Sequence, residues 1–228
     1  MRNKIMQNYY SQKLNTERLI KVYDIAPPRV QQYLKAELDF VLNKISSEDI
    51  VLDLGCGYGR IISPLAQKAK YVHGIDISEQ NIQLVQKLYR QLANVSFKVM
   101  NAINLQFTDE SHDVVVCIQN GISAFHVDPK ALIQESVRVT KPGGRILFST
   151  YTEDFWPYRL EWFEIQAKAG LLGEIDYRKT KDGVIVCKDG FTATTFTPQK
   201  FTTLTSQLGL ATQIVKVDDS SLFCEIRI

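Results

Sequence analysis

Two carboxylates and three glycines define the chemistry this chain can do. Asp53 precedes Gly55, Gly57 and Gly59, which stand at alternate positions, and Asp76 closes a second apolar run that begins at Tyr71. Glycines let the backbone turn tightly and let a ligand approach main-chain N–H groups with no Cβ in the way. A carboxylate at the carboxyl end of the next strand offers an acceptor to both hydroxyls of a ribose. Strand, glycine loop, helix, strand and acid in that order make a unit suited to holding a nucleoside.

The spacing decides which nucleoside. A dinucleotide fold needs Gly-x-Gly-x-x-Gly; here Arg60 stands where the third glycine belongs, and Gly59 comes one residue early. The run Asp53-x-Gly55-x-Gly57-x-Gly59 instead resembles the first motif of the class I S-adenosylmethionine-dependent methyltransferases. The run Leu132 to Gly144, with Glu135, Arg138-Val139 and Lys141-Pro142-Gly143-Gly144, is similar to the helix and turn before that family's fifth strand. The resemblance covers most of the chain from Ile50 onward.

It implies S-adenosyl-L-methionine as cofactor and S-adenosyl-L-homocysteine as product. Asp53, Gly55, Cys56 and Gly57 would meet the amino-acid end, Asp76 the ribose, and Ile77 one face of the adenine. At the end of the third strand, Asn101 and Ala102 stand where the family commonly carries an aspartate near the adenine amino group. Asn101 can accept a hydrogen bond there through its amide oxygen. Gln119 and Asn120, after the fourth strand, would meet the methionine part and the acceptor. N-terminal aromatics of related enzymes fold over the cofactor, which makes Tyr10, beside Tyr9, a further candidate; a tyrosine face near a sulfonium gains cation–π attraction. Packing of a surface helix is the competing role for that pair.

A sulfonium is already a good leaving group, so the protein has to align an acceptor lone pair with the methyl carbon and exclude water. A hydroxyl or ammonium acceptor also needs a base. Of the three histidines, His73 falls inside the second strand and His112 just before the fourth, whereas His126 lies in the loop after the fourth strand and is the candidate catalytic base. The Asp/Asn-Pro-Pro-aromatic motif of amino methyltransferases acting on DNA bases is replaced by Asn120-Gly121-Ile122-Ser123, and the Pro-Cys of cytosine-C5 enzymes is absent. The expectation is methyl transfer to an oxygen or nitrogen of a small molecule. An NAD-dependent oxidoreductase on a related fold and a non-catalytic S-adenosylmethionine-binding partner protein are the alternatives.

Composition fits that class. The chain has 228 residues, 45% hydrophobic and 23% charged, with a net charge of +2, so nothing in it calls for a nucleic-acid partner. Cys56, Cys117, Cys187 and Cys224 lie far apart without a metal-ligand spacing, which predicts no metal and a reducing compartment. The segment from Met1 to Tyr10 lacks the apolar core of a signal peptide, and no run approaches the roughly 18 apolar residues of a membrane span. A cytoplasmic protein with no membrane partner is expected, as a monomer or a homodimer.

The elements that must position these groups follow from periodicity. Apolar residues recur at helical spacing from Leu14 to Asn43, with a break at Pro27-Pro28. Strand and helix signals then alternate: strands at Ile50–Leu54, Tyr71–Ile75, Val95–Val99, Val114–Ile118 and Arg145–Thr150, and helices at Arg60–Lys68, Ser78–Gln91 and Pro129–Val139. Alternation of this kind specifies a parallel sheet with helices on both faces. A helix opened by Thr197-Pro198 leads to two β-rich runs joined by Asp218 to Ser221, a turn short enough to force antiparallel pairing. The prediction is an α/β fold: a doubly wound, seven-stranded, mostly parallel sheet with a C-terminal antiparallel hairpin, N-terminal helices and an inserted β-meander.

One methyltransferase domain over 1–228 is expected, with a helical cap at 1–45 and a substrate-covering insertion at 151–197. In that insertion an aromatic helix, Phe155 to Ala169, precedes β-prone runs at Ile175–Thr180, Val184–Lys188 and Phe191–Thr197. Asp182-Gly183 and Asp189-Gly190 between them are hairpin signals. Phe155, Trp156, Tyr158, Trp162 and Phe163 suit either an apolar substrate pocket or core, with helical spacing favouring core for about half of them.

Overall fold

The computed structural model describes Tyr9 and residues 16–228. From residue 16 the described chain opens with two helices, α1 (Thr16–Asp24) and α2 (Pro28–Leu42). Pro27 adopts an extended conformation and Pro28 takes the first helical position, where the missing N–H costs nothing. The alternating region follows as β1 (Ile50–Leu54), α3 (Ile62–Lys68), β2 (Tyr71–Asp76), α4 (Glu79–Leu88), β3 (Val95–Val99), β4 (His112–Cys117), α5 (Gly121–Ala124), α6 (Pro129–Val139) and β5 (Thr140–Tyr151). Ser78 caps α4 by accepting from the Asn81 N–H, and Asp128 caps α6 by accepting from that of Lys130.

After β5 come α7 (Trp156–Lys168), the short strands β6 (Ile185–Val186) and β7 (Thr192–Ala193), α8 (Pro198–Gln207), and the hairpin of β8 (Thr212–Val217) and β9 (Ser221–Arg227). The main sheet has seven strands in the order β3-β2-β1-β4-β5-β9-β8. β1 to β5 pair in parallel, and β9 runs antiparallel to both β5 and β8. The strand order reverses between β1 and β4, so the carboxyl ends of those two strands flank the crevice in which open α/β sheets bind ligands.

One sheet face buries Leu52, Ile75, Val115 and Phe148 with Leu132 of α6 and Phe201 of α8, and the other buries Val51, Val72 and Val116 with Val41 of α2, Leu65 of α3 and Val85 of α4. In the first residues of β5 the chain passes so close to β4 that a Cβ on Gly144 would stand 2.7 Å from the Asp113 carbonyl oxygen. Lys141 pairs with the Asp113 carboxylate at 2.8 Å, and that carboxylate also accepts from the Ile50 N–H at the start of β1. Arg138 donates to the carbonyls of Leu105 and Phe107, to Asp109 and to Glu135, and so fixes the loop between β3 and β4. The residues most like the family's pre-β5 motif thus brace the sheet.

The insertion departs from the expected meander. The run 175–180 forms no strand: Ile175 makes a single bridge to Cys187, and the chain then turns, the Asp176 carbonyl accepting from the N–H groups of Lys179 and Thr180. The Thr180 hydroxyl takes the place of a ladder partner, accepting from the Val186 N–H at 3.0 Å and donating to its carbonyl. What forms is a two-residue hairpin of β6 and β7, beside a tight turn at Asp182 and Gly183, both with positive φ, as a type I′ turn requires. Ile175, Ile185, Cys187 and Phe191 share a third core cluster with Val22, Tyr33, Phe155, Trp162 and Phe163. The insertion, α7 and the N-terminal helices therefore form one layer over the end of β5. Phe155, Trp162 and Phe163 are core, whereas Tyr158 is exposed. Among the described residues, no helix is long and apolar enough to cross a membrane.

Candidate active site

The crevice between β1 and β4 holds a cavity of about 70 Å³ lined by the glycine loop, by Asp53, Arg60, Ile118 and Gln119, and by Leu19 and Tyr23 of α1. Gly57 has a φ of +54°, and a Cβ there would lie 3.0 Å from Leu19 Cδ2. Helix α1 is thus a roof resting on the loop. Its fastenings are the Thr16 N–H donating to Asn81 Oδ1 at 2.8 Å, Arg18 donating to the carbonyls of Gly170 and Leu171, and the Val22 carbonyl accepting from Trp162 Nε1. Ligand pockets commonly measure about 300 Å³ or more, so this cavity suits a small part of a ligand, such as the amino-acid end of a cofactor.

Asp53 sits under this roof, 3% exposed, and its Oδ2 has no hydrogen-bond partner. Burial pushes its carboxyl up to about 7; Arg60 opposes that shift and Asp76 adds to it. A buried carboxylate oxygen left without a donor is costly unless a ligand supplies one. Asp76, at the end of β2, accepts from the Gly57 N–H at 3.0 Å through Oδ2 and from the Ser78 N–H at 2.7 Å through Oδ1. Burial raises the Asp76 pKa, and these backbone donors pull it back. Oδ1 also accepts from Asn81 Nδ2 at 3.4 Å, so Oδ2 is the oxygen that retains a lone pair, and the carboxylate is already oriented by the loop that would carry the nucleoside.

Ile77 is exposed beside Asp76, as an adenine-facing side chain requires, and Asn101 is exposed at the end of β3 with Ala102 buried behind it. Asn101 Oδ1 accepts from the Ile103 N–H at 3.1 Å, which leaves one lone pair for another donor. Cys56 is buried under the loop, its thiol pushed well up by burial. Gly55 lies against the Phe125 ring, where a Cβ would come within 2.6 Å of it.

Gln119 and Asn120 are both left-handed, with φ of +55° and +62°. The Gln119 N–H donates to Ser149 Oγ at 2.7 Å and to Glu37 Oε1 at 3.0 Å, while Asn120 Nδ2 donates to the Thr194 carbonyl and its Oδ1 accepts from the Thr150 hydroxyl. His126 follows Phe125, exposed and outside the cavity lining. His73 and His112 are bound to each other at 2.9 Å. Tyr9 does not reach the glycine loop: its hydroxyl donates to Asp189 at 2.6 Å and its ring meets Phe191 edge-on, so it packs on the insertion. Tyr10 lies outside the described residues.

Three side chains to which the sequence assigned no role in the site complete it. Glu37 of α2 is fully buried, accepting from Ser149 Oγ at 2.5 Å, with its Oε2 3.8 Å from Arg60 Nη2. Arg60 lies over the Tyr23 ring at 5.4 Å, and the Tyr23 hydroxyl donates to Gln119 Oε1 at 2.6 Å. A signal for Glu37 existed: Val30, Tyr33, Leu34, Glu37 and Val41 share the buried face of α2, so a carboxylate interrupts an apolar stripe. Among the described residues, no group of histidine, cysteine or acidic side chains could hold a metal ion.

Residues 51–144 match the family described as a methyltransferase domain. The chain is 31% identical over 137 residues to a 2-methyl-6-phytyl-1,4-hydroquinone methyltransferase of Synechocystis, covering 56% of this chain and 42% of that one. It is also 31% identical over 110 residues to a ubiquinone biosynthesis O-methyltransferase of Coxiella burnetii, covering 47% and 46%. The matches thus span less than half the length of those curated relatives. Its fold is shared with the N-methyltransferase NodS of Bradyrhizobium japonicum, solved in complex with S-adenosyl-L-homocysteine, at a TM-score of 0.60 and 17% identity over 94% of each chain. In the sequence around its glycine loop the chain is similar to methyltransferases, and its sheet has the fold of the S-adenosylmethionine-dependent methyltransferases.

Proposed function

We propose that this chain is a cytoplasmic enzyme of one domain that transfers the methyl group of S-adenosyl-L-methionine to an oxygen or nitrogen of a small-molecule acceptor. The observation that carries the reading is Asp53: a buried carboxylate oxygen with no protein donor, under a glycine loop and beside a carboxylate suited to a ribose. The cofactor's amino-acid end would supply the missing donor, its ribose would meet Asp76, and its adenine would lie between Ile77 and the Asn101-Ala102 turn. The name of one curated relative points to a hydroquinone, that of the other to methylation of oxygen and that of NodS to nitrogen, and a small-molecule acceptor fits all three.

The bound cofactor supplies an activated methyl group; the chain has to orient it and exclude water. Gln119 and Asn120, held by Ser149, Thr150 and Thr194, form the rigid wall at the end of β4, and Tyr23 and Leu19 close the site from above. With His73 and His112 engaged together, the acceptor's proton is assigned to His126.

The test is titration calorimetry with S-adenosyl-L-homocysteine. The wild-type chain is expected to bind it, and Asp76→Ala, which removes charge-assisted bonds to the ribose, is expected to weaken it at least about tenfold. A wild-type chain that binds no S-adenosyl-L-homocysteine overturns the reading.

A further inference from the structure

We propose that Arg60 binds the carboxylate of the cofactor's methionine moiety and that Glu37 is the positioning residue that aims it there; this rests on the function proposed above. Among the described residues, Arg60 is the only cationic side chain lining the cavity. Its one described hydrogen bond is long, Nη2 to Gln119 Oε1 at 3.5 Å, and its approach to Glu37 Oε2, at 3.8 Å, is an ion pair without a hydrogen bond. The guanidinium fork is therefore largely uncommitted, although the side chain is only 19% exposed.

The surroundings are arranged to hold that fork. The Tyr23 ring covers one face of it. Glu37 is fixed through its other oxygen, Oε1, by the Ser149 hydroxyl, the Gln119 N–H and the Tyr33 hydroxyl. Its Oε2 is left buried without a hydrogen-bond partner, turned toward Arg60. An α-amino acid carries an ammonium and a carboxylate on neighbouring atoms, and the cavity offers their complements: the bare Oδ2 of Asp53 for the one and the planar, five-donor guanidinium for the other. A dinucleotide has neither group at this point, which gives a physical role to the replacement of the third glycine by arginine.

Two ligands separate this subsite from the rest. S-Adenosyl-L-homocysteine carries the amino-acid end; 5′-methylthioadenosine has the same nucleoside and sulfur without it. Calorimetry on the wild type, Arg60→Met, Arg60→Lys and Glu37→Gln reads the ratio of the two affinities. Arg60→Met is expected to weaken S-adenosyl-L-homocysteine about tenfold or more while leaving 5′-methylthioadenosine within about twofold. Arg60→Lys, which keeps the charge and loses the fork, should fall between, and Glu37→Gln should lower the ratio in the same direction.

Binding of 5′-methylthioadenosine reports that a variant is folded; should Arg60→Met fail that check, the ratio is read in Arg60→Lys. A ratio unchanged from wild type overturns the proposal, and so does a loss confined to the acceptor's KM, which would mean that Arg60 serves an acidic acceptor instead. Failure of the wild type to bind either ligand would remove the function itself, a result distinct from an unchanged ratio.

Discussion

The Tyr23 hydroxyl donates to Gln119 Oε1 at 2.6 Å, joining the roof helix α1 to the strained loop at the end of β4 across 96 residues of sequence. Lifting α1 from the loop to admit a cofactor's amino-acid end would break that bond. Tyr23→Phe keeps the ring over Arg60 and removes the bond, which contributes about 0.5–1.5 kcal/mol. Stopped-flow binding of S-adenosyl-L-homocysteine should then be roughly two- to tenfold faster. An unchanged association rate would mean that α1 opens elsewhere.

Gly57 has two constraints at once, a left-handed backbone and Leu19 at 3.0 Å from where a Cβ would stand. Gly57→Val should therefore both unfold more easily and bind worse. The backbone alone costs about 1–2 kcal/mol, which lowers Tm by several degrees, and the branched side chain props α1 away from the loop. Chemical denaturation and calorimetry on the same variant measure the two effects. Full stability with full binding would contradict the observed contact.

Much of this was legible locally. The bounds Ile50–Leu54, Val95–Val99 and Pro129–Val139 follow from runs whose apolar period, caps and turn residues all agree, and the glycine loop and Asp76 fall where their spacing puts them. Ser78 announces its cap in the same way. Glu37, Tyr23 and Arg60 were not legible, because their meaning lies in contacts 59 to 96 residues apart and no local pattern encodes which loop a helix will cover. The run 175–180 misled for the opposite reason: its residues favour strands, but Asp176 and Thr180 offer the backbone local partners that compete with a ladder.

The pH dependence of stability separates Asp53 from the histidine pair. Burial pushes the Asp53 carboxyl up to about 7, whereas in the unfolded chain it titrates near about 3.9. Between those values the folded state holds a proton that the unfolded state has lost, so this group's contribution falls as pH rises from about 4 to 7. His112 acts oppositely. Burial and His73 lower its pKa to about 4, against about 6.5 unfolded, so its contribution rises with pH over that window. The difference between Asp53→Asn and wild type isolates the carboxylate: the variant's advantage should grow from pH 5 to pH 8, to at most about 4 kcal/mol. Urea unfolding at the two pH values measures it, and a difference that stays flat would mean that Asp53 is already ionised at pH 5.

Thr150 is the joint between the insertion and the catalytic wall. Its hydroxyl donates to Asn120 Oδ1 at 2.9 Å and accepts from the Phe196 N–H at 3.2 Å, while Asn120 Nδ2 reaches the Thr194 carbonyl at 2.8 Å. Deleting the hairpin would remove core residues such as Ile185 and Phe191 and confound folding with function, so the milder Thr150→Val is the better probe of the insertion as a substrate cover. It keeps the volume, leaves the Phe196 N–H without its acceptor, and should cost about 1–3 kcal/mol of stability. If the insertion selects the acceptor, the acceptor's KM rises severalfold while S-adenosyl-L-homocysteine affinity, set on the far side of Gln119, stays within about threefold. Sedimentation of the same variant separates the other role open to an insertion, subunit contact: a shift to smaller mass with unchanged acceptor KM would assign it to assembly and place acceptor selection elsewhere.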